Sequence, residues 1–199
     1  MPTDRLTSAI AAIDRLHAQD PATILLDGVS QPAELVYARR MTDWLLRLEP
    51  TASEALQLAV RAQHLQRWQI PRESYPADRI GYLQWRTDLK NRHAAQLGEV
   101  LAAEGYDAAI VRQAQSVVKK EQLKHNPDSQ LLEDAACLVF LEFEFADFAA
   151  RHDREKIINI LQKTWQKMSP AAQGAALALP LSDYCRELVG AALTRREPH

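Results

Sequence analysis

Residues 131–152 read LLEDAACLVFLEFEFADFAARH, and this stretch decides the fold. Leu138, Val139, Phe140, Leu141, Phe143, Phe145 and Phe148 place apolar side chains on nearly every side of a 3.6-residue repeat. A helix that is hydrophobic all round belongs in the middle of a bundle. On both sides of it, apolar residues recur at three- and four-residue steps. Leu6, Ile10, Ile13 and Leu16 mark a first helix, and Leu35, Val36, Met41, Leu45 and Leu48 a second. A third runs from Ser53 through Leu56, Leu58, Val60, His64, Leu65 and Trp68 up to Pro71. A long fourth starts near Gly81 and carries Leu83, Trp85, Leu89, His93, Leu97 and Leu101 to Gly105. Asp107 caps a fifth over residues 108–123, and shorter helices follow 131–152. Residues 21–32, with Pro21, Gly28 and Pro32, read as a loop, and no segment alternates with period two for long enough to predict a sheet. The expectation is an all-α, single-domain helical bundle over residues 1–199. Its core spans roughly residues 34–168, with the terminal helices packed on it.

Composition narrows the function. Lys plus Arg total 24 against 26 for Asp plus Glu, a net charge of -2, so no global field draws the chain to nucleic acid or anionic lipid. Six glycines, none close to another, exclude a glycine-rich phosphate loop. Any anion site is therefore local and made of side chains. The longest apolar run, residues 135–141, is too short to span a bilayer, and no membrane partner is expected. Asp4, Arg5, Asp14 and Arg15 interrupt the first helix, unlike the apolar core of a signal peptide. Cys137 and Cys185 lack CxxC spacing and read as reduced thiols, so the expected location is the cytoplasm.

Two groups of residues carry possible chemistry. His64, His93 and the adjacent Glu133 and Asp134 are polar residues set in apolar helices. Taken singly, each histidine is a core ring with a satisfied hydrogen bond, and the carboxylates complement a helix start. Taken together, imidazoles and a carboxylate from several helices are the usual ligands of zinc, iron or manganese in a bundle. The second group is basic and aromatic. Residues 63–93 hold Arg67, Arg72, Arg79, Arg86, Lys90 and Arg92 against Glu73, Asp78 and Asp88, interleaved with Trp68, Tyr75, Tyr82 and Trp85. Arginine forks match phosphate oxygens and aromatic faces stack bases, although prolines and rings pinning an irregular loop to a core explain the same pattern. Lys120, on the fifth helix, can add a phosphate contact. His152-Asp153 reads as a helix junction, with Asp153 the N-cap.

The blocks QHLQRW (63–68), IPRESYP (70–76), GYLQWR (81–86), KKEQLK (119–124) and LEDAACLVFLE (132–142) come in order and with their spacing. On them the chain resembles the domain-of-unknown-function family 4202 over residues 35–168, a likeness that brings no established activity. More distantly, the order of features resembles the HD superfamily of metal-dependent phosphohydrolases. These are all-helical proteins whose metal ligands are a His, a His-Asp pair and a late Asp. On that resemblance His64 takes the place of the pair's His, and Leu65 stands where its Asp would be. Glu34 replaces the first His, His93 matches a further His, and Asp134 the late Asp. The resemblance then implies one divalent metal (Zn, Mn or Fe) held by Glu34, His64, His93 and Asp134; Glu133, the spare carboxylate beside Asp134, is the candidate general base. The expected function is a metal-dependent phosphohydrolase acting on a nucleotide or another phosphorylated small molecule. Arg72, Arg79, Arg86 and Lys120 would hold the phosphate charge, and Trp68, Tyr82 and Trp85 would stack a base or wall the pocket. The alternative is a catalytically inactive helical module binding a nucleotide, RNA or a protein partner. The sequence carries no signal for an oligomeric state.

Overall fold

The structure is a computed structural model describing residues 4–123 and 125–194. The chain runs α1 (Asp4–His17), β1 (Thr23–Leu26), β2 (Val29–Pro32), α2 (Ala33–Leu48), α3 (Glu54–Arg61), two 3₁₀ turns (Arg67–Gln69 and Arg72–Ser74), α4 (Arg79–Ala103) and α5 (Ala108–Val118). It continues through α6 (Pro127–Val139), α7 (Phe145–Ala150), α8 (Arg154–Lys167), α9 (Pro170–Leu177) and α10 (Asp183–Thr194). Among the described residues the fold is all-α apart from one antiparallel hairpin. Helix starts follow their caps: Ser53, Asp78, Asp107, Asp153 and Ser169 each accept a hydrogen bond from a backbone amide of the first turn.

The hairpin departs from the loop expected over residues 21–32. Leu26 pairs with Val29, and the two residues between them, Asp27 and Gly28, both have positive φ (50° and 77°). Asp-Gly supplies the left-handed pair that a two-residue hairpin turn requires. The strands are four residues each and largely exposed, too short to show a period.

Two compact units divide after Leu132, inside α6. In the first, α3 packs against α1, α2 and α5, and α4 against α1 and α5. Ala55, Leu56, Leu58, Ala59 and Val60 are all buried, so α3 is the enclosed helix of this unit. In the second, α10 packs on α7 and α8. The stretch 131–152, expected as one helix apolar on all sides, is broken. Residues Phe140–Glu144 form a π-helical turn in which the Phe145 amide donates to the Phe140 carbonyl. The extra residue rotates the helix face, burying Leu141 and Phe145 and leaving Phe143 40% exposed.

Helix α3 also ends earlier than its apolar pattern. Beyond Arg61 the chain turns, with His64 and Gln66 at φ 65° and 51°, conformations an α-helix cannot contain. What fixes this end is a buried charge. Arg61 Nε and Nη2 donate to the two carboxylate oxygens of Asp14 on α1 at 2.6 and 2.7 Å, and Nη1 donates to Thr42 on α2 at 3.1 Å. The Arg61 carbonyl accepts from His17 Nε2 at 2.9 Å. One residue thus ties three helices together.

Residues 71–78, with Pro71 and Pro76, form an irregular loop ahead of α4. Arg72 donates to the carbonyls of Tyr75, Pro76 and Asp78 at 3.0, 2.7 and 3.3 Å, closing the loop on itself. The loop lies so close to α4 that a Cβ on Gly81 would sit 2.3 Å from the Pro76 carbonyl oxygen. Tyr75 donates to Asp88 at 2.7 Å and Trp85 to the Ile70 carbonyl at 2.9 Å, completing the seam.

Removing one partner of a buried fork-to-carboxylate pair strands the other charge, at a cost of roughly 3 kcal/mol or more. Arg61→Leu is therefore expected to lose about 3 kcal/mol of unfolding free energy in urea denaturation, and a loss below about 1 kcal/mol would contradict the role assigned to this pair.

Candidate functional site

Where α3 ends, a cavity opens inside the first unit. It is lined by Gln63, His64 and Arg67 after α3, by Tyr82, Trp85, Arg86, Leu89, Lys90 and His93 along α4, and by Val118 and Lys120 at the end of α5. The α4 residues recur at three and four, so they form one stripe of that helix. The volume, about 250 Å³, lies just under the roughly 300–1,000 Å³ usual for small-molecule sites. Its lining carries four cations, Arg67, Arg86, Lys90 and Lys120, and no carboxylate.

The basic side chains are placed by aromatic rings. The Arg67 guanidinium lies 5.1 Å from the centroid of Trp85, and that of Arg86 5.8 Å from the centroid of Tyr82, whose hydroxyl accepts from Arg86 Nη1 at 3.2 Å. Cation–π contact and stacking preorganise both forks without neutralising them. Backbone strain gathers at the same place. Among the described residues the non-glycine positions with positive φ include His64, Gln66 and Lys120, two of which line the cavity. Such conformations cost energy and concentrate at functional sites.

Behind the cations sit three histidines and a glutamate. The His64 ring stacks on Tyr37 (4.6 Å, 12°) and lies 6.2 Å from the ring of His93. Its Nδ1 is 3.6 Å from Glu34 Oε2, too long for a formed hydrogen bond. His17 donates from Nε2 to a carbonyl, so its Nδ1 is the bare acceptor. Buried side-chain atoms without a hydrogen-bond partner include His17 Nδ1, Glu34 Oε2, Gln63 Oε1 and His93 Nε2. Polar atoms left so are the exception in folded proteins and ask for a reason.

Charge state follows from burial. Desolvation lowers the pKa of His17, takes that of His93 to about 3, and holds that of His64 well below its ordinary value. Arg67 and Lys120 reinforce the shift at His64. Burial pushes Glu34 up to about 7, against the opposing pull of Arg67 and His17. The His64–Glu34 contact is thus not an ion pair at neutral pH, because the imidazole is uncharged. Although 23% of the His64 side chain is exposed, that edge belongs to a residue lining the cavity, and the rest is enclosed.

The residues expected from the sequence separate into two sets. Glu34, His64 and His93 come together, and Arg86, Lys120, Tyr82 and Trp85 line the cavity. Arg72, Arg79 and Trp68 are not among its lining residues: Arg72 is engaged with its own loop, Arg79 is exposed in the first turn of α4, and Trp68 lies in a 3₁₀ turn. Glu133 and Asp134 fall in the second unit. There Lys167 Nζ is 3.5 Å from Glu133, and Asp134 Oδ1 accepts from the Ser169 amide at 2.8 Å, at the start of α9. Asp153 accepts from the Lys156 amide at 3.0 Å, as an N-cap does. Sequence reasoning left His17 unremarked, although it follows Ile13 by four residues on the apolar stripe of α1, and it counted Arg67 and Lys90 only as part of a basic stretch.

One family matches the chain, over residues 7–189. The chain belongs to the family Domain of unknown function (DUF4202). No curated protein and no solved structure matches it. In this DUF4202 chain three of the sequence blocks that carry the family likeness meet at one cavity. QHLQRW supplies Gln63, His64 and Arg67, GYLQWR supplies Tyr82, Trp85 and Arg86, and KKEQLK supplies Lys120.

A divalent metal finds a pair of ligands here rather than a set. Glu34 Oε2 and His64 Nδ1 stand at a separation two ligands of one ion can adopt, but among the described residues no group of three or more His, Cys, Asp or Glu is arranged to hold a metal. Leu65, the residue next to His64, is wholly buried.

The linkage has opposite signs for the two kinds of group. Glu34 keeps its proton in the folded state up to about pH 7, whereas the unfolded chain releases it near the ordinary 4.5 of a glutamate; stability is lost as pH rises between the two. The buried histidines resist protonation, so their cost grows as pH falls below 6.5. In chelator-treated protein, Glu34→Gln is expected to raise the melting temperature at pH 8 and leave it unchanged at pH 4. An equal shift at both pH values would contradict a raised Glu34 pKa.

Proposed function

We propose that this chain binds a phosphorylated small molecule in the cavity along α4 and acts on it as a phosphohydrolase, a nucleotide being the class that suits both its cations and its rings. The observation that carries this reading is the lining itself: four cations, two neutral imidazoles and two large aromatic residues, with no carboxylate. Phosphate binds most tightly to guanidinium forks in a partly desolvated site, and the negative charge that grows during phosphoryl transfer would be stabilised by the same four groups. Neutral His64, whose protonation burial and the neighbouring cations oppose until an anion offsets them, is the candidate base for an attacking water. Tyr82 and Trp85, whose rings lie 6.0 Å apart, would wall the rest of the ligand. The small volume favours a metabolite over a polymer such as RNA.

A divalent metal (Zn, Mn or Fe) stays part of the proposal only through the Glu34–His64 pair, and no step here is routed through it. Elemental analysis of protein purified without chelator, alongside His64→Ala, tests that part. Stoichiometric metal lost in the variant would restore it, and its absence from both would remove it.

A second reading, an inactive module that binds the same ligand, is favoured by Leu65, which leaves no aspartate at the HD position. We also place the chain in the cytoplasm, on the strength of two buried free thiols, Cys137 and Cys185. No described helix is long and apolar enough to cross a membrane.

Phosphate release from a nucleotide and sugar-phosphate panel, with and without divalent cations, separates enzyme from binder. Arg67→Ala and Arg86→Ala are each expected to weaken binding at least tenfold, about the 1.5–3 kcal/mol of a hydrogen bond to a charged group. Turnover unchanged by both variants would overturn the proposed site.

A further inference from the structure

We infer that Gln63 and His93 read the base of the bound nucleotide, and that the cavity selects a base with an exocyclic amine, as in adenine or cytosine, over its carbonyl counterpart, as in hypoxanthine or uracil. The inference rests on the nucleotide reading above and names its ligand more narrowly. It starts from polar atoms that have nothing to bond. Gln63 and His93 both line the cavity, and they are only 8% and 4% exposed. Gln63 Oε1 and His93 Nε2 nevertheless have no hydrogen-bond partner. An amide oxygen accepts, and burial keeps the His93 imidazole neutral, so the ring too has a bare acceptor nitrogen. Buried acceptors left unpaired cost free energy that the N–H groups of a ligand would recover.

Placement assigns these two residues to the uncharged part of the ligand. The stripe of α4 that lines the cavity runs from Tyr82 to His93, about 16 Å of helix. Arg86 lies toward the first end, and Arg67 is held there on the ring of Trp85. His93 closes the other end, about 10 Å along the axis from Arg86. A phosphate on the two guanidinium forks therefore leaves the ribose and base to cross that gap. Leu89 and Val118, both buried and both part of the lining, offer apolar contact to the flat faces of a base. The edge of the base then meets Gln63 and His93, and the chemistry of that edge decides between bases. A primary amine brings two N–H donors, so one group can serve both acceptors. A carbonyl at the same ring position sets an acceptor against acceptors and leaves both unpaired. Sites built around a ligand N–H reject the analogue lacking it far more strongly than apolar pockets reject a change of shape.

Calorimetric titration of the full chain tests this with five probes: the monophosphates of adenosine, inosine, cytidine and uridine, and ribose 5-phosphate. Adenosine monophosphate is expected to bind roughly tenfold tighter or more than inosine monophosphate, and the cytidine nucleotide likewise against the uridine one. Gln63→Met, close in shape but without the amide, is expected to cut both ratios by roughly threefold or more. Ratios unchanged in the folded variant overturn the inference, and the comparison in the unsubstituted chain decides alone where the variant does not fold. Equal affinity within both pairs, tighter binding of the carbonyl members, or ribose 5-phosphate bound as tightly as the nucleotides also overturns it, and leaves the anion pocket standing. No saturable binding of any probe overturns the pocket and the inference together.

Discussion

The Arg61 fork on Asp14 holds the end of α3 against α1 and α2, and the first unit depends on it. Three residues later the chain is in the left-handed region at His64, and the wall of the cavity begins. Had α3 continued along its apolar pattern to Trp68, Gln63, His64 and Arg67 would have shared one face of a straight helix, strung out along its axis. The turn instead delivers all three to one cavity, against the stripe of α4 from Tyr82 to His93. A buried ion pair is weak grounds for stability by itself, but it is well suited to fixing where an element stops.

The interior of this unit is unusual in its polar content. His17, Glu34, Gln63 and His93 each keep a buried atom without a hydrogen-bond partner, beside a cavity whose wall is cationic. Natural cores rarely tolerate such groups unless they serve a purpose. Positive residues and neutral imidazoles coexist because burial and the cations both disfavour a protonated ring. An arriving phosphate would reverse that field, giving His64 a reason to take a proton it refuses in the empty site.

Much of the architecture is legible in the sequence, because it is written locally. Capping residues such as Asp107 and Asp153, and prolines such as Pro71, mark where helices begin and where they cannot continue. The basic and aromatic stretch 63–93 likewise foretells the cavity, since Arg86, Tyr82, Trp85 and His93 lie on one face at helical spacing. What is not legible is non-local or conformational. Left-handed His64, Gln66 and Lys120 have no glycine to announce them. The Asp27-Gly28 turn is a hairpin signal, yet strands of four residues give no period to support it. Glu133 and Asp134 look like a catalytic pair beside an apolar helix, but Asp134 meets the Ser169 amide, 35 residues onward, a contact no local pattern contains. Arg72, one of a row of arginines, cannot be told from its neighbours until its loop closes around it.

The central claim is that anions bind between α4 and the ends of α3 and α5. A crystal of the chain grown with tungstate, a heavy phosphate analogue visible by anomalous scattering, tests it most directly. The account predicts an anomalous peak within hydrogen-bonding distance of Arg67 and Arg86. Tungstate bound only at other surfaces, with this cavity filled by solvent alone, would contradict it.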